Sequence, residues 1–319
     1  MTLSEWITDT SQKLKVAGID YARSEIYLWL TQMTDKNRAW LSLHAKEPMN
    51  VLFSSDLLAK LQEITTRRIS REPLAYILGT TFFYGYPFQV GPGVLIPRSD
   101  SEIAVEIALA VLGLEDMPAS QYCNQEIETD FGATPYTGTL RFVDVCTGSG
   151  CLAIAISEKL RERKVAFQAL LTDISPEALS YARRNRDNFA LSSHLDLREC
   201  DLFPDQSTFA SIFSGEKANL IISNPPYVRQ DEMNSLMPEV RDFEPEMALT
   251  DRKMGLSFYE RILSESSHYL ACDGVIIFEH GYEQAEAVSK LCREHGFDRT
   301  QCFRDYGGQP RVTMARKSV

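Results

Sequence analysis

The sequence predicts an α/β fold in which a mostly parallel sheet is covered by helices on both faces. Three observations support this prediction. Apolar runs and helical segments alternate from about residue 94 onward, helical spacing dominates the first 75 residues, and an aromatic, glycine-containing stretch separates the two patterns. We therefore expect a helical domain at 1–80, a β-hairpin linker at 81–97 and the sheet domain at 98–319. At 319 residues the chain exceeds the roughly 100–200 of one domain.

The N-terminal helices are indicated by apolar residues that recur every three or four positions. Leu3, Trp6, Ile7 and Leu14 form one such series, and Leu57, Leu58, Leu61 and Ile64 form another. The next residues, 81–93, are aromatic and β-branched and are interrupted by Gly and Pro, which favours a hairpin over a helix.

Four apolar runs predict the core strands, and four helical segments lie between or after them. The runs are Leu140–Val145, Ala169–Leu171, Leu220–Ile222 and Val275–Phe278, and the helices are 151–163, 176–190, 257–271 and 283–295. Two final strands, Thr300–Phe303 and Arg311–Ala315, are joined without a helix and are expected to pair antiparallel. The polar stretch 115–139 is expected to be a flexible insertion.

Composition narrows the class of protein. No apolar run approaches the roughly 18 residues of a membrane span, the N-terminus lacks a basic signal-peptide start, and the seven cysteines contain no C-x-x-C pair. We expect a cytoplasmic protein with free thiols, without a metal and without a membrane partner. Residues 1–85 hold ten basic and nine acidic residues, so the rest carries a net charge of −12. Such an acidic half disfavours a phosphate backbone as direct partner.

A glycine-rich loop follows the first core strand and opens a helix. It comprises Asp144, Val145, Cys146, Thr147, Gly148, Ser149 and Gly150. Doubly wound sheets bind nucleotide-like ligands at this position, where glycines let the backbone approach the ligand. Gly148 to Ala153 also satisfies G-x-G-x-x-A, so the loop alone fits a dehydrogenase as well as a methyltransferase.

Acidic residues after the next two strands are candidates for contacts to a nucleoside. Asp173, which lies 23 residues after Gly150, is positioned to accept hydrogen bonds from ribose hydroxyls. Asp201 and Leu202 follow the third expected strand and would flank an adenine. A helix cap at Asp173 and an ordinary loop at Asp201 are the structural alternatives.

The motif Asn224-Pro225-Pro226-Tyr227 follows the apolar strand Leu220–Ile222 and favours the methyltransferase. Methyl transfer from a sulfonium needs a nitrogen lone pair held in line with the methyl carbon. The Asn224 side-chain oxygen and the Pro225 carbonyl can each accept one N–H of a planar amine or amide. Tyr227 is expected to lie against that group with its hydroxyl free. The sequence thus predicts an S-adenosyl-L-methionine-dependent methyltransferase of a conjugated nitrogen.

These segments together resemble the bacterial protein-(glutamine-N5) methyltransferases. The resemblance extends over Arg71–Gly79, Val94–Arg98 with Glu102, the glycine loop, Asn224–Val228, Glu239–Pro245 and Asp305–Val312. It implies a Rossmann-like class I methyltransferase sheet, S-adenosyl-L-methionine as cofactor, and methylation of the glutamine in the Gly-Gly-Gln motif of class-1 peptide chain release factors. By position it implies that Cys146–Gly150, Asp173, Leu202 and Asn224 border the cofactor and that Asn224–Tyr227 hold the glutamine. Arg98 and Glu102 match the motif bordering the site, with a salt bridge as the structural alternative.

The chain departs from the family pattern in the loops. Cys146 stands where the release-factor branch often has Gly, and Cys146–Cys151 resembles the sibling enzyme that methylates a large-subunit ribosomal protein. Ser99 and Ser101 replace the Pro and Thr expected around Asp100. The Arg71–Pro73 and Asp305–Val312 segments favour the release-factor branch.

Three other hypotheses about the function remain open at this point. A nucleic-acid amino-methyltransferase shares the Asn-Pro-Pro-Tyr chemistry but needs a basic recognition surface. A dehydrogenase leaves Asn224–Tyr227 without a role, and a binding module that keeps the fold needs no chemistry at all. We expect a monomer.

Overall fold

A computed structural model describes residues 1–115 and 138–317. Most of the insertion predicted at 115–139 therefore lies outside the described residues. The chain divides into two compact units, Met1–Gly79 with Met237–Phe243, and Thr80–Leu236 with Glu244–Val319. The first unit thus contains a short segment that the sequence boundaries assign to 98–319. In the described residues, every helix falls short of the length and apolarity needed to span a membrane.

The first unit is helical. Its helices are α1 (Leu3–Val16), α2 (Ala22–Thr34), α3 (Arg38–Leu43), α4 (Met49–Leu52), α5 (Ser55–Ile69), α6 (Leu74–Leu78) and, from later in the chain, α11 (Pro238–Phe243). Helix α1 begins with a capping box, because the Thr2 hydroxyl accepts from the Glu5 amide while the Glu5 carboxylate accepts from the Thr2 amide. The first predicted apolar series is buried, and in the second Leu61 and Ile64 are buried while Leu57 and Leu58 are partly buried. Leu3, Leu14 and Trp29 are fully enclosed.

An ion cluster ties α11 to α5 and the residues that follow it. The Arg68 guanidinium is buried, and it donates to both carboxylate oxygens of Glu25 and, at 3.0 Å, to Glu239 Oε1. Arg71 donates to the other oxygen of Glu239 and to the Ala17 and Gly18 carbonyls. We call Glu25, Arg68, Arg71 and Glu239 the ion cluster.

The second unit begins with the predicted hairpin, formed by β1 (Thr80–Phe83) and β2 (Tyr86–Gln89). The two connecting residues, Tyr84 and Gly85, both have positive φ, at 51° and 78°. This is the twist that a two-residue hairpin turn prefers. The Tyr84 amide donates to Glu102 Oε1 at 2.8 Å, which anchors the turn.

A seven-stranded sheet forms the centre of the second unit, with strand order β5-β4-β3-β6-β7-β9-β8. The strands are β3 (Leu140–Val145), β4 (Phe167–Asp173), β5 (Leu195–Glu199), β6 (Ala218–Ser223), β7 (Leu270–Glu279), β8 (Arg299–Arg304) and β9 (Pro310–Arg316). Neighbours from β5 to β7 pair parallel, and β9 runs antiparallel to both β7 and β8. The parallel sheet and the final antiparallel pair are confirmed.

Helices cover both faces of this sheet, as predicted. They are α7 (Glu102–Val111), α8 (Cys151–Glu162), α9 (Pro176–Asn188), α10 (Gln206–Ile212), α12 (Glu246–Leu249), α13 (Ser257–Tyr269) and α14 (Ala285–Glu294). One buried cluster packs α7, α8 and the hairpin on one face, and a second packs α10, α13 and α14 on the other. The central strands are buried on both faces, which explains their continuous apolar runs.

The strand order reverses between β3 and β6, and this point positions the site. From β3 the chain proceeds outward through β4 and β5, and then β6 returns to the opposite side of β3. Val145 pairs with both Thr172 and Ser223, and Ser223 also pairs with Phe278. The next residue of each strand therefore falls on one row at the carboxyl edge: Asp173, Cys146, Asn224 and Glu279. Open α/β sheets bind their ligands at such a reversal.

Candidate active site

The loops at this carboxyl edge enclose a cavity of about 930 Å³, its open mouth included. The structure brings most of the predicted site residues together here. Those lining the cavity are Cys146, Thr147, Gly148, Ser149, Asp173, Asp201, Leu202, Asn224 and Pro226.

The glycine loop turns sharply into α8. Gly150, the residue before the helix, has φ of 81°, and a Cβ there would lie 3.2 Å from Ile154 Cδ1, so only glycine fits without strain. Cys146 also has positive φ, at 60°. A residue with a side chain costs roughly 1–2 kcal/mol in this conformation, a cost that glycine avoids.

Asp144 lies beneath the loop and is not among the residues that line the cavity. Its Oδ2 accepts from the Thr147 hydroxyl at 2.6 Å and from the Ala153 amide at 3.3 Å. Complete burial raises the pKa of this carboxyl to about 7. The structure thus gives Asp144 a role in supporting the loop, where the sequence suggested cofactor contact.

Asp173 connects the glycine loop to the next helix. Its Oδ2 accepts from the Gly148 amide at 2.8 Å, and its Oδ1 accepts from the Ser175 amide at 2.9 Å. Ser175 itself caps α9 through the Ala178 amide. Burial raises the pKa of Asp173, and the two amide hydrogen bonds oppose that shift. Each carboxylate oxygen keeps a second lone pair, which a hydroxyl in the cavity could use.

Asp201 and Leu202 follow β5 and line the cavity, whereas Asn224 follows β6, on the other side of β3. Leu202 is buried with φ of 68°, and its carbonyl accepts from the Thr172 hydroxyl at 2.7 Å. Arg261 donates to Asp201 Oδ2 at 2.7 Å, so the Asp201 Oδ1 remains for a ligand amine. An apolar side chain beside a carboxylate suits a purine ring with an exocyclic amine.

The four residues of the Asn-Pro-Pro-Tyr motif divide between the cavity and the core. Asn224 and Pro226 line the cavity, whereas Pro225 is buried and Tyr227 packs against the second core cluster. The expectation that the Tyr227 hydroxyl stays free is wrong, because it donates to Glu279 Oε1 at 3.4 Å. Burial also raises the pKa of the Tyr227 hydroxyl, so this group stays protonated and acts as a donor.

Arg98 and Glu102 do not pair with each other. Arg98, which lines the cavity, donates to Glu244 Oε1 at 2.5 Å, while Glu102 accepts from Tyr84 in the hairpin turn. Glu244 also accepts from the Ile96 amide at 3.1 Å. Arg98 therefore both borders the cavity and forms a salt bridge, with a partner 146 residues away in sequence.

A polar group next to Asn224 was missed from the sequence, and one of its members, Ser101, lines the cavity. It consists of Ser101, Glu279 and Arg311, all of which lie near the carboxyl edge of β6 and β7. Asp305 folds the turn before Arg311, accepting from the Gly307 and Gln309 amides and from Arg311 Nε. Glu279 carried one available signal, since it is a charged residue at the end of an apolar parallel strand.

Two protein-family models match this chain, one in the helical N-terminal part and one in the part that contains the sheet. The family model for the PrmC N-terminal domain matches residues 5–79, and the methyltransferase small domain matches residues 133–239. Among solved structures, the hMettl16 catalytic domain is similar with a TM-score of 0.48 at 13% identity, and the match covers 84% of each chain.

Sequence relatives extend over the full chain. A release factor glutamine methyltransferase of Vibrio cholerae is 30% identical, with 99% of this chain and 97% of that protein covered. One from Clostridium botulinum is 31% identical over 99% of this chain and all of the relative. One from Fusobacterium nucleatum is 35% identical over 82% of this chain, which spans 64% of that longer relative. The chain therefore belongs to the release factor glutamine methyltransferase family.

Proposed function

We propose that this protein transfers a methyl group from S-adenosyl-L-methionine to the side-chain amide nitrogen of the glutamine in the Gly-Gly-Gln motif of class-1 release factors. The observation that carries the proposal is the shared cavity, in which Asn224 and Pro226 face the same space as Gly148 and Asp173. The names of the full-length relatives support the choice of a release factor as substrate.

The residues at hand fit the cofactor. Asp173 offers free lone pairs to ribose hydroxyls, Asp201 and Leu202 offer a carboxylate and an apolar side chain to the adenine, and Cys146–Gly150 offer backbone to the amino-acid end. When bound, S-adenosyl-L-methionine supplies an electrophilic methyl group on a sulfonium. The cation also suits the acidic half of the chain, with its net charge of −12.

Asn224 and Pro225 orient the acceptor in this proposal. The Asn224 Oδ1 accepts one N–H of the glutamine amide and the Pro225 carbonyl accepts the other, which holds the nitrogen still and favours its rehybridisation. The nitrogen releases its proton after the methyl has arrived, so no side-chain base is required. We place the reaction in the cytoplasm and assign it to a monomer without direct nucleic-acid contact.

Radiolabelled methyl transfer to purified release factor tests the proposal. We expect incorporation into the wild-type factor and none into a variant whose Gly-Gly-Gln glutamine is alanine. A glutamine-containing large-subunit ribosomal protein and duplex DNA serve as parallel acceptors. Labelling of either one, with the release factor unlabelled, contradicts the proposed substrate.

A further inference from the structure

We propose that Ser101 and Glu279 are positioning residues that hold the Asn224 amide with Nδ2 turned away from the substrate and Oδ1 toward it. This inference rests on the proposed function, because it assigns Asn224 Oδ1 as acceptor of the glutamine N–H. Ser101 and Glu279 are both buried; Ser101 lines the cavity beside Asn224, whereas Glu279 does not line it.

Strand register brings Asn224 and Glu279 side by side. Ser223 pairs with Phe278, so Asn224 and Glu279 are the next residues on adjacent parallel strands. Ser101 approaches from the short 3-10 turn Ser99–Ser101 that precedes α7. The Asn224 Nδ2 donates to Ser101 Oγ at 3.4 Å, and a hydrogen bond from Ser101 to Glu279 lowers the pKa of that carboxyl.

The number of protons that each group carries fixes the direction of donation along these hydrogen bonds. A serine hydroxyl has one proton, and the Ser101 oxygen already accepts from Asn224, so its proton is available to the Glu279 carboxylate. The Tyr227 hydroxyl donates to the same carboxylate. Donation therefore runs from Asn224 through Ser101 to Glu279. Among the described residues no donor engages Asn224 Oδ1, which leaves that oxygen for a ligand.

The protonation state of Glu279 sets this direction. A protonated Glu279 can donate to Ser101, whose own proton then turns toward Asn224 and favours the flipped amide, with Nδ2 toward the substrate. Burial raises the pKa of Glu279 to about 7, so both forms occur in ordinary buffers. The titratable and charged groups around Glu279 are Asp100, Cys151, Tyr227, Tyr259, His280 and Arg311.

These neighbouring groups titrate in different pH ranges. Burial raises the pKa of the Tyr227, Tyr259 and Cys151 side chains and lowers that of His280 to about 4. Arg311 keeps its charge, with its guanidinium bonded to Asp305. Glu279 is therefore the member of the group that changes charge between pH 6 and 8.

Steady-state kinetics on three serine variants test the positioning role. Ser101→Ala should lower kcat about tenfold, the effect of one hydrogen bond, while the dissociation constant for S-adenosyl-L-methionine stays within twofold by calorimetry. Ser101→Thr keeps the hydroxyl and should recover kcat to within about threefold of wild type. Ser99→Ala, on the same turn but exposed, should match wild type. Wild-type kcat in Ser101→Ala overturns the proposal.

A pH profile provides the readout that a structural role would not move. Wild-type kcat should rise through pH 7, and Glu279→Gln should remove that rise at a kcat about tenfold below the wild-type plateau. A profile in Glu279→Gln that still rises at the same pH overturns the role of Glu279.

Hydrogen exchange of the Asn224 side-chain amide, measured by NMR without any substrate, separates this proposal from the proposed function. Exchange should be at least about tenfold faster in Ser101→Ala than in wild type and Ser101→Thr. Slow exchange in all three overturns the positioning role even if the release factor is methylated. Inactivity toward the release factor with the expected exchange overturns only the substrate assignment.

Discussion

Glu239 should be a principal determinant of stability in the first unit. Its two carboxylate oxygens accept from Arg68 and Arg71, whose side chains are 6% and 19% exposed. Glu239→Gln keeps the shape but turns an amide N–H toward one guanidinium and removes the negative charge between two cations. Breaking a buried ion pair by changing one partner costs about 3–5 kcal/mol.

The contacts that the two arginines keep place the expected loss of unfolding free energy at the lower end of that range. Arg68 keeps both bonds to Glu25, and Arg71 keeps the Ala17 and Gly18 carbonyls and is partly solvated. One charge-assisted hydrogen bond is then lost outright and the other loses its anionic acceptor, and bonds of this kind contribute about 1.5–3 kcal/mol each. We therefore expect Glu239→Gln to lower the free energy of unfolding by about 3 kcal/mol.

Tryptophan fluorescence in urea measures this loss directly. The three tryptophans of the chain, Trp6, Trp29 and Trp40, all lie in the first unit. A loss of about 3 kcal/mol lowers the unfolding midpoint by roughly 1–3 M urea at an m-value of 1–3 kcal/mol/M. Unfolding of the second unit does not change this signal, because all three tryptophans lie in the first. The second unit is followed separately, by methyl-transfer activity after dilution.

Asp242→Asn is the matched control. Asp242 lies on the same short helix and pairs with Arg241, but both side chains are more than 40% exposed. Exposed pairs contribute little, so we expect the urea midpoint to stay at the wild-type value. Equal midpoints for Glu239→Gln and Asp242→Asn refute the reasoning, because burial of the cluster would then have no energetic effect.

Three further predictions concern the second unit. Asn224→Ala should keep the affinity for S-adenosyl-L-methionine and lower methyl transfer at least roughly 100-fold, measured by calorimetry and by single-turnover labelling; unchanged turnover contradicts its role. Cys146→Gly should be about 1 kcal/mol more stable than Cys146→Ala in thermal melts, because φ is 60° there, and the reverse order contradicts the strain. His280 is neutral when folded, since burial lowers its pKa to about 4 from 6.5. The unfolded chain therefore binds the extra proton. The free energy of unfolding should fall by about 1.5 kcal/mol between pH 6.5 and 5 in wild type, and His280→Gln should lack this contribution, as measured by circular dichroism in urea.

The sequence predicted the secondary structure of the second unit closely. Leu140–Val145 coincides with β3, and the helix predicted from residue 151 begins there, because a glycine loop and a buried strand leave strong local signals. The predicted run Val275–Phe278 was shorter than β7, which begins at Leu270. The residues in between, Ala271 to Gly274, are small or polar and carry no apolar pattern.

The polar groups around Asn224 and Arg98 form through long-range pairings that no local sequence pattern contains. Ser101 meets Asn224 across 123 positions, and Arg98 meets Glu244 across 146. Periodicity shows which face of a strand is buried but not which strands become neighbours. The free hydroxyl expected for Tyr227 failed for this reason, because its partner Glu279 lies on a strand 52 residues later.

The placement of α11 in the first unit has a consequence for synthesis on the ribosome. Arg68 and Glu239 are 171 positions apart, so the first unit cannot close its ion cluster until most of the chain has been made. At roughly 5–20 residues per second the two arginines wait on the order of 10–30 s for their carboxylate. The first part of the protein to emerge is thus among the last to be completed, and a nascent chain stalled before Glu239 should be more sensitive to protease in its first 79 residues than the finished protein.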